Sequence, residues 1–153
     1  TALPYRSETT VVVLDASVIV KWTFADRAEE SHSLQALQIL QFVKESRVTV
    51  VQPPHWLAEV AAVIVRLDPG RARQAVSLLH ALEFSVVADV EVYQKACELS
   101  ASLKQHVFDT LYHAVALTEP GAVLVTADEQ YYRKAHRVGR IVQLKEYRLV
   151  FQN

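Results

Sequence analysis

Glycine, cysteine and methionine are scarce or missing in this chain of 153 residues: three glycines, one cysteine and no methionine. Gly70, Gly121 and Gly139 stand far apart, so neither G-x-G-x-x-G nor a Walker A loop is present. Dinucleotide sites and ordinary nucleoside-triphosphate sites are thereby excluded. The G-x-S-x-G elbow of a serine hydrolase is missing for the same reason. A single cysteine, Cys97, rules out a disulfide framework and a cysteine-built zinc site, and it fits a reducing compartment. Six histidines are present, but none are spaced H-x-x-x-H or H-E-x-x-H, which argues against a zinc hydrolase. No apolar run approaches the ~20 residues that span a bilayer. The longest candidate, VAAVIV, is flanked by Glu59 and Arg66. No basic-apolar-small signal peptide opens the sequence. The expectation is a cytoplasmic protein with no membrane partner.

An excess of charge of either sign is also missing, with 16 basic residues against 17 acidic ones. The net charge of −1 argues against a strongly basic, non-specific nucleic-acid binder. The distribution is less even. Arg133, Lys134, Arg137, Arg140, Lys145 and Arg148 follow Tyr131, with Glu146 the one acid after Arg133. This stretch reads either as a solvated helix and tail or as a phosphate-binding edge.

What the chain does have is apolar residues, 51% of it, enough for a proper core in a domain of this length. VVVLD, VTVVQ, FSVVA, AVLVT and IVQL read as strands. Between them lie helical stretches. The first is expected from about Asp26 to Glu45, with Leu34, Leu37, Leu40 and Val43 along one side. The next runs from about His55 to Leu67, opened by Pro53-Pro54 and broken by Asp68-Pro69-Gly70. Arg71 to Glu83 follows, with Ala75, Leu78, Leu79 and Leu82 on its buried side. A helix carrying Val92, Ala96 and Leu99 comes after Asp89, which could cap it. Two more cover about Asp109 to Thr118 and Asp128 to Val138. The order predicts one domain over residues 1–153, with residues 1–9 as an arm outside the fold. Its architecture is a three-layer α/β/α sandwich around a mostly parallel five-stranded sheet.

Function is carried by the acids. Asp15 ends the first strand, and Asp128 follows the fourth, two residues after Thr126. In an open parallel sheet the ligand crevice lies beyond the carboxyl ends of the strands, so residues far apart in sequence can meet there. Each aspartate could equally cap the helix that follows it, and so could Asp109 in VFDTLYHAVAL. Glu59 in HWLAEVAAVIV is harder to explain as surface. Its apolar neighbours put it on a half-buried face, where a charge needs a partner or a cation. Clustered carboxylates repel, by roughly 4 kcal/mol for a pair ~4 Å apart at an effective dielectric near 20. A divalent cation cancels that cost, and an all-oxygen set suits Mg²⁺ or Mn²⁺. Such ions serve phosphoryl chemistry. Ser17 and Thr126 could add hydroxyls to the same site. Trp22, Trp56, Tyr112, Tyr131 and Tyr132 read as core or interface aromatics rather than base-stacking platforms, although Trp22, next to Lys21, could border the site.

Four segments, VVVLDASVIVKW, QPPHWLAEVAAVIVRL, HVFDTLYHAVAL and AVLVTADEQYYRKAHRVG, resemble the PIN-domain nucleases. They most resemble the VapC-type toxins of toxin–antitoxin pairs. The resemblance runs from Val11 to Leu144, in the family's order. It implies an α/β/α fold and a Mg²⁺- or Mn²⁺-dependent ribonuclease acting on RNA. It also implies a homodimer, silenced by a small cognate antitoxin. Position by position, the family's acidic quartet falls on Asp15, Glu59, Asp109 and Asp128, and its threonine or serine on Thr126. One departure is Ala62, where many relatives carry asparagine. Glu129 is an extra acid that either joins the cluster or faces solvent. Two other classes compete. One is a non-catalytic PIN-like module that binds RNA or protein, which an incomplete quartet would favour. The other is a phospho-acceptor receiver, which needs a paired acid after the first strand and a lysine ending a late one; DASV and AVLVT supply neither.

Overall fold

Residues 10–14 are Thr-Val-Val-Val-Leu, and β-branched side chains suit a pleated strand better than a helix. They form β1, Thr10–Leu14. The computed structural model describes residues 10–27 and 30–148, so the arm expected over 1–9 lies outside the described residues. After β1 come α1 (Ala16–Thr23), α2 (Ser33–Lys44), β2 (Val48–Gln52), α3 (Trp56–Leu67) and α4 (Pro69–His80). The short β3 (Ser85–Val86) leads to α5 (Val90–Leu103) and α6 (Val107–Thr118). Then follow β4 (Ala122–Thr126), α7 (Glu129–Ala135) and β5 (Ile141–Gln143). A 3-10 turn, His136–Val138, tightens the end of α7. No helix among the described residues is long and apolar enough to cross a membrane.

The sheet runs β3-β2-β1-β4-β5 and every pairing in it is parallel. Val12 pairs with Val50 on one side and Val123 on the other. Val12, Val13 and Leu14 are all fully buried, as a parallel strand covered on both faces must be. From β1 the chain steps to β2 on one side, whereas from β4 it steps to β5 on the other. The strand order therefore reverses between β1 and β4. That is the topological switch point, where open α/β sheets form their ligand crevice. Helix α6 packs on both of these strands, with α5 on its other side. Its residues Thr110 to Ala116 are buried without a break, which is why its sequence is apolar all round.

Three local expectations are corrected. The first crossover holds two helices, because α1 starts directly after Asp15 and the helix expected from Asp26 begins only at Ser33. Leu34 and Leu37 do not face the core: they are 79% and 38% exposed, and the buried face of α2 is Ala36 and Ile39. Small Ala36 lets the helix approach α1, and the Trp22 indole N–H donates to its carbonyl at 2.7 Å. Leu78 on α4 is likewise exposed. The strand expected over FSVVA shrinks to Ser85–Val86, an exposed edge paired only with β2.

Candidate active site

Each sequence-nominated acid sits at a helix start. Asp15 is the N-cap of α1, and its Oδ1 accepts the Ser17 amide at 3.1 Å. Asp128 is the N-cap of α7, and its Oδ1 accepts the Tyr131 amide at 3.0 Å. Glu59 and Asp109 lie in the first turns of α3 and α6. The cap of α6 is His106, not Asp109, which is thereby free to point elsewhere. Negative charge is favoured at helix N-termini, so the four positions are electrostatically compatible with their helices. Asp15 is also held through its strand. Buried Gln52, at the end of β2, accepts the Leu14 N–H at 2.9 Å and donates to the Leu14 carbonyl at 2.8 Å. This side-chain clamp completes the backbone pairing of β1 one residue before the aspartate.

The four acids line one cavity of about 140 Å³ at the carboxyl ends of β1 and β4. Ser17, Tyr112 and Tyr131 are among its other walls. The Ser17 and Thr126 hydroxyls both donate to the Asp15 carboxylate, one to each oxygen. Thr126 is fully buried, and its Oγ1 also accepts the Asp128 amide at 3.0 Å. Ser17 Oγ in turn accepts the Ala127 amide at 2.9 Å. One hydroxyl network thus joins the ends of β1 and β4. Glu59 Oε1 accepts the Tyr112 hydroxyl at 2.7 Å, and Asp109 Oδ2 accepts the Gln105 amide at 2.8 Å.

The electrostatics are strained at Asp15. Burial pushes its carboxyl up from 3.8 to about 7; the Ser17 and Thr126 hydrogen bonds pull it down in part, and the charges of Asp128 and Glu59 add to the rise. Among the described residues, no lysine or arginine lines the cavity to offset this. Burial and the nearby carboxylates also raise the Tyr112 and Tyr131 hydroxyls, so both rings stay neutral. Tyr131 donates to His113 Nδ1 at 2.8 Å, which leaves the His113 proton on Nε2, donated to the Gly139 carbonyl at 2.8 Å. His113 is fully buried, and desolvation lowers its affinity for a second proton. Gly139 has φ +95°, a backbone conformation that a side chain would strain, so glycine suits the turn that presents this carbonyl.

The donors around the cavity are oxygens, as Mg²⁺ and Mn²⁺ prefer. Among the described residues no three His, Cys, Asp or Glu side chains come close enough to hold an ion together. Mg²⁺ keeps several waters and binds through one or two carboxylates, so direct convergence of three is not required. A cavity with a desolvated carboxylate, like-charged neighbours and no basic wall fits a hydrated cation. Glu129 stays outside the cavity, with Lys145 3.9 Å away. Trp22 does not border the acids. It lines a separate apolar groove of about 560 Å³, together with Leu40 of α2 and Leu78 and Leu79 of α4.

Sequence reasoning missed the Gln52 clamp and took Tyr112 and Tyr131 for core or interface aromatics only. The fold brings Tyr112 and Tyr131 to the cavity. Their only signal in the sequence was spacing: Tyr112 lies three residues after Asp109 on α6, and Tyr131 three after Asp128 on α7, so each shares a helix face with its acid.

The PIN domain profile matches residues 12–137. Among solved structures, the crystal structure of PAE2754 from Pyrobaculum aerophilum is similar, with a TM-score of 0.62 and 15% identity. That likeness covers 89% of this chain and 90% of the other, and it speaks to the fold alone. No curated protein matches the chain significantly. The profile takes in most of β1, all of β4 and all four cavity acids, and the parallel sheet around them has the expected α/β/α form: the chain belongs to the PIN domain family.

Proposed function

We propose that this chain is a metal-dependent endoribonuclease and the toxin of a toxin–antitoxin pair, hydrolysing RNA phosphodiester bonds in the cytoplasm. PIN domains are generally metal-dependent nucleases. The observation that carries the proposal is the meeting of Asp15, Glu59, Asp109 and Asp128 around one cavity with no basic residue in its wall among the described residues. Those four would hold Mg²⁺ or Mn²⁺, directly or through water. The ion, when bound, polarises a phosphoryl oxygen and lowers the pKa of water.

The chain's own groups have definable parts in this scheme. Thr126 and Ser17 orient the Asp15 carboxylate by donating to both of its oxygens. Tyr112 fixes one Glu59 oxygen and leaves the other for a ligand. One of these carboxylates would accept a proton from the attacking water. Arg133 in the last turn of α7 and Arg137 in the 3-10 turn after it, both exposed, are the candidates for phosphate contacts. Lys134 and Arg140 are engaged with backbone carbonyls instead. The homodimer and the small antitoxin rest on the likeness to VapC-type toxins. An arginine from such an antitoxin would match paired carboxylates and supply the charge an ion otherwise supplies.

The test is cleavage of single-stranded RNA by purified protein with Mg²⁺ or Mn²⁺ and with EDTA, beside Asp109→Ala. The expected result is cleavage with the ion only, abolished in Asp109→Ala. Equal cleavage in EDTA, or at wild-type rate by Asp109→Ala, would refute it. A second reading, a non-catalytic module binding RNA or protein, draws on the fact that no three described acids converge to ligating distance. It would stand if RNA binds and is never cut.

A further inference from the structure

A row of aromatic rings leads from solvent to the acid cavity. His55 precedes α3, one turn before Glu59, and Phe108 stands directly before Asp109 in the first turn of α6. The His106 and Phe108 ring centroids lie 4.8 Å apart, those of Phe108 and His55 5.4 Å, and those of His55 and Tyr112 4.9 Å. Tyr112 closes the row at the Glu59 carboxylate. Phe108, in the middle, is 51% exposed.

A single exposed apolar side chain needs no explanation. Phe108 differs because both neighbouring rings are fastened to its own backbone. His55 Nε2 donates to the Phe108 carbonyl at 2.8 Å, and His106 Nδ1 accepts the Phe108 amide at 3.1 Å. His55 Nδ1 is buried without a partner among the described residues, so the ring's orientation is set at Nε2. Those bonds assign the proton of each neutral imidazole to Nε2, and on exposed His106 that is a donor a ligand can use. The rings are therefore ordered before any ligand arrives, at the rim of two cavity acids, with the Phe108 side chain about half open to water. Packing alone does not call for this arrangement, since a half-exposed ring contributes little to the core.

We propose that His106, Phe108 and His55 form a stacking platform for an unpaired nucleobase of single-stranded RNA, adjacent to the phosphate that enters the acid cavity. This rests on the RNA-directed reading above. An aromatic platform takes the face of a base, and a duplex hides that face between neighbouring base pairs. The open ring thus selects single strands, loops and bulges over helical RNA. The platform offers few fixed donors, so it tolerates any base and leaves sequence choice to other contacts.

The experiment measures binding rather than cutting. Asp15→Asn protein, used to prevent turnover, is titrated in Mg²⁺ with a fluorescent single-stranded RNA, and the affinity is compared after Phe108→Leu and Phe108→Trp are added. Stacking makes Phe108→Leu about ten-fold weaker or worse, because a leucine keeps the apolar volume but has no π-face, and Phe108→Trp restores affinity. An RNA of the same length made entirely of abasic residues should bind weakly and lose nothing further from Phe108→Leu. Sedimentation of the Phe108→Leu protein should match its parent. Equal affinity of the leucine protein, equal affinity for blunt duplex RNA, or no RNA binding by the parent overturns the platform. A Phe108→Leu protein with an altered association state overturns it in favour of a contact between protein chains. Failure here with metal-dependent cleavage intact leaves the nuclease reading standing, and Phe108-dependent binding without cleavage does the reverse.

Discussion

Replacing Asp15 with asparagine should make the metal-free protein more stable at neutral pH, although it removes a central residue of the proposed site. The folded state raises the Asp15 carboxyl from 3.8 to about 7. A raised value means that the folded protein binds this proton more tightly than the unfolded chain does. The group's contribution is then fully present below 3.8 and is lost as pH rises through about 7. With each unit worth 1.36 kcal/mol, the charged carboxylate costs roughly 4 kcal/mol above that range. Asp15 lines the cavity and is only partly buried, so a figure of ~2 kcal/mol is the better expectation. Asparagine removes the charge but can accept only one of the two hydroxyl donations, a loss of about 1 kcal/mol.

The net gain for Asp15→Asn is therefore about 1–2 kcal/mol at pH 8, or ~2–8 °C in melting temperature for a domain of this size. At pH 4 the gain should vanish or change sign. Urea titrations of both proteins in EDTA at the two pH values provide the measurement. Comparison at equal pH cancels the titration of groups elsewhere. Adding Mg²⁺ should then raise the melting temperature of wild type and leave the asparagine protein little changed. If Asp15→Asn is the less stable protein at pH 8 in EDTA, or if its advantage does not depend on pH, Asp15 is an ordinary helix cap and its elevated proton affinity is wrong.

Gln52→Leu should destabilise the fold by ~2–5 kcal/mol, since it leaves the buried Leu14 N–H and carbonyl without their partner; chemical denaturation measures this directly. Tyr112→Phe should fold normally yet reduce RNA cleavage several-fold through a freer Glu59; an unchanged turnover number would show that the hydroxyl is structural only. His113, whose proton affinity is lowered by burial, contributes stability that is complete above its ordinary value of 6.5 and is lost as pH falls below it. His113→Gln should therefore be less stable at pH 7 but lose less on acidification to pH 5, as read from melting curves. Arg71 grips Asp26 through two hydrogen bonds and holds its carboxyl down at about 2, so Arg71→Ala should show less loss of stability than wild type as pH falls from 4 towards 2.

Much of the fold could be read from local pattern. The β-branched runs gave β1, β2 and β4 to the residue or nearly so, and the strand-end aspartates pointed to the switch point between β1 and β4. Glu59 stood out because a carboxylate among small apolar residues on α3 contradicts its surroundings. The errors have a common cause. Leucines on α2 were assigned to the core by periodicity, but Ala36 is what lets that helix approach Trp22, and close approach depends on the partner. Gln52 reads as a polar strand end until Leu14, 38 residues earlier, is placed beside it. Thr126 lies 111 residues from the carboxylate it holds, and Tyr112 lies 53 from Glu59. Phe108 and His55 carry no local sign of meeting at a rim. Hydrogen bonds between distant segments fix the site's geometry, whereas periodicity reports only which face of an element is buried.

The arrangement also explains why the acids stand where they do. Each sits on the first turn or the cap of a helix, and each has at least one oxygen held by a neighbour: Asp15 by hydroxyls, Glu59 by Tyr112, Asp109 by Gln105 and Asp128 by the Tyr131 amide. These bonds soften the repulsion among the carboxylates without supplying a countercharge. A lysine in the cavity would stabilise the fold more, but it would occupy the place of a cation. Burial raises the Asp15 carboxyl, and this residue is anchored on both sides of the switch point, by Gln52 through Leu14 and by Thr126 from β4. Its position is therefore rigid while its charge remains uncompensated. If the proposed metal site is right, a fold that fixes this carboxylate so firmly would be stabilised by the cation that enters, and the same electrostatics that weaken the metal-free site would supply the affinity.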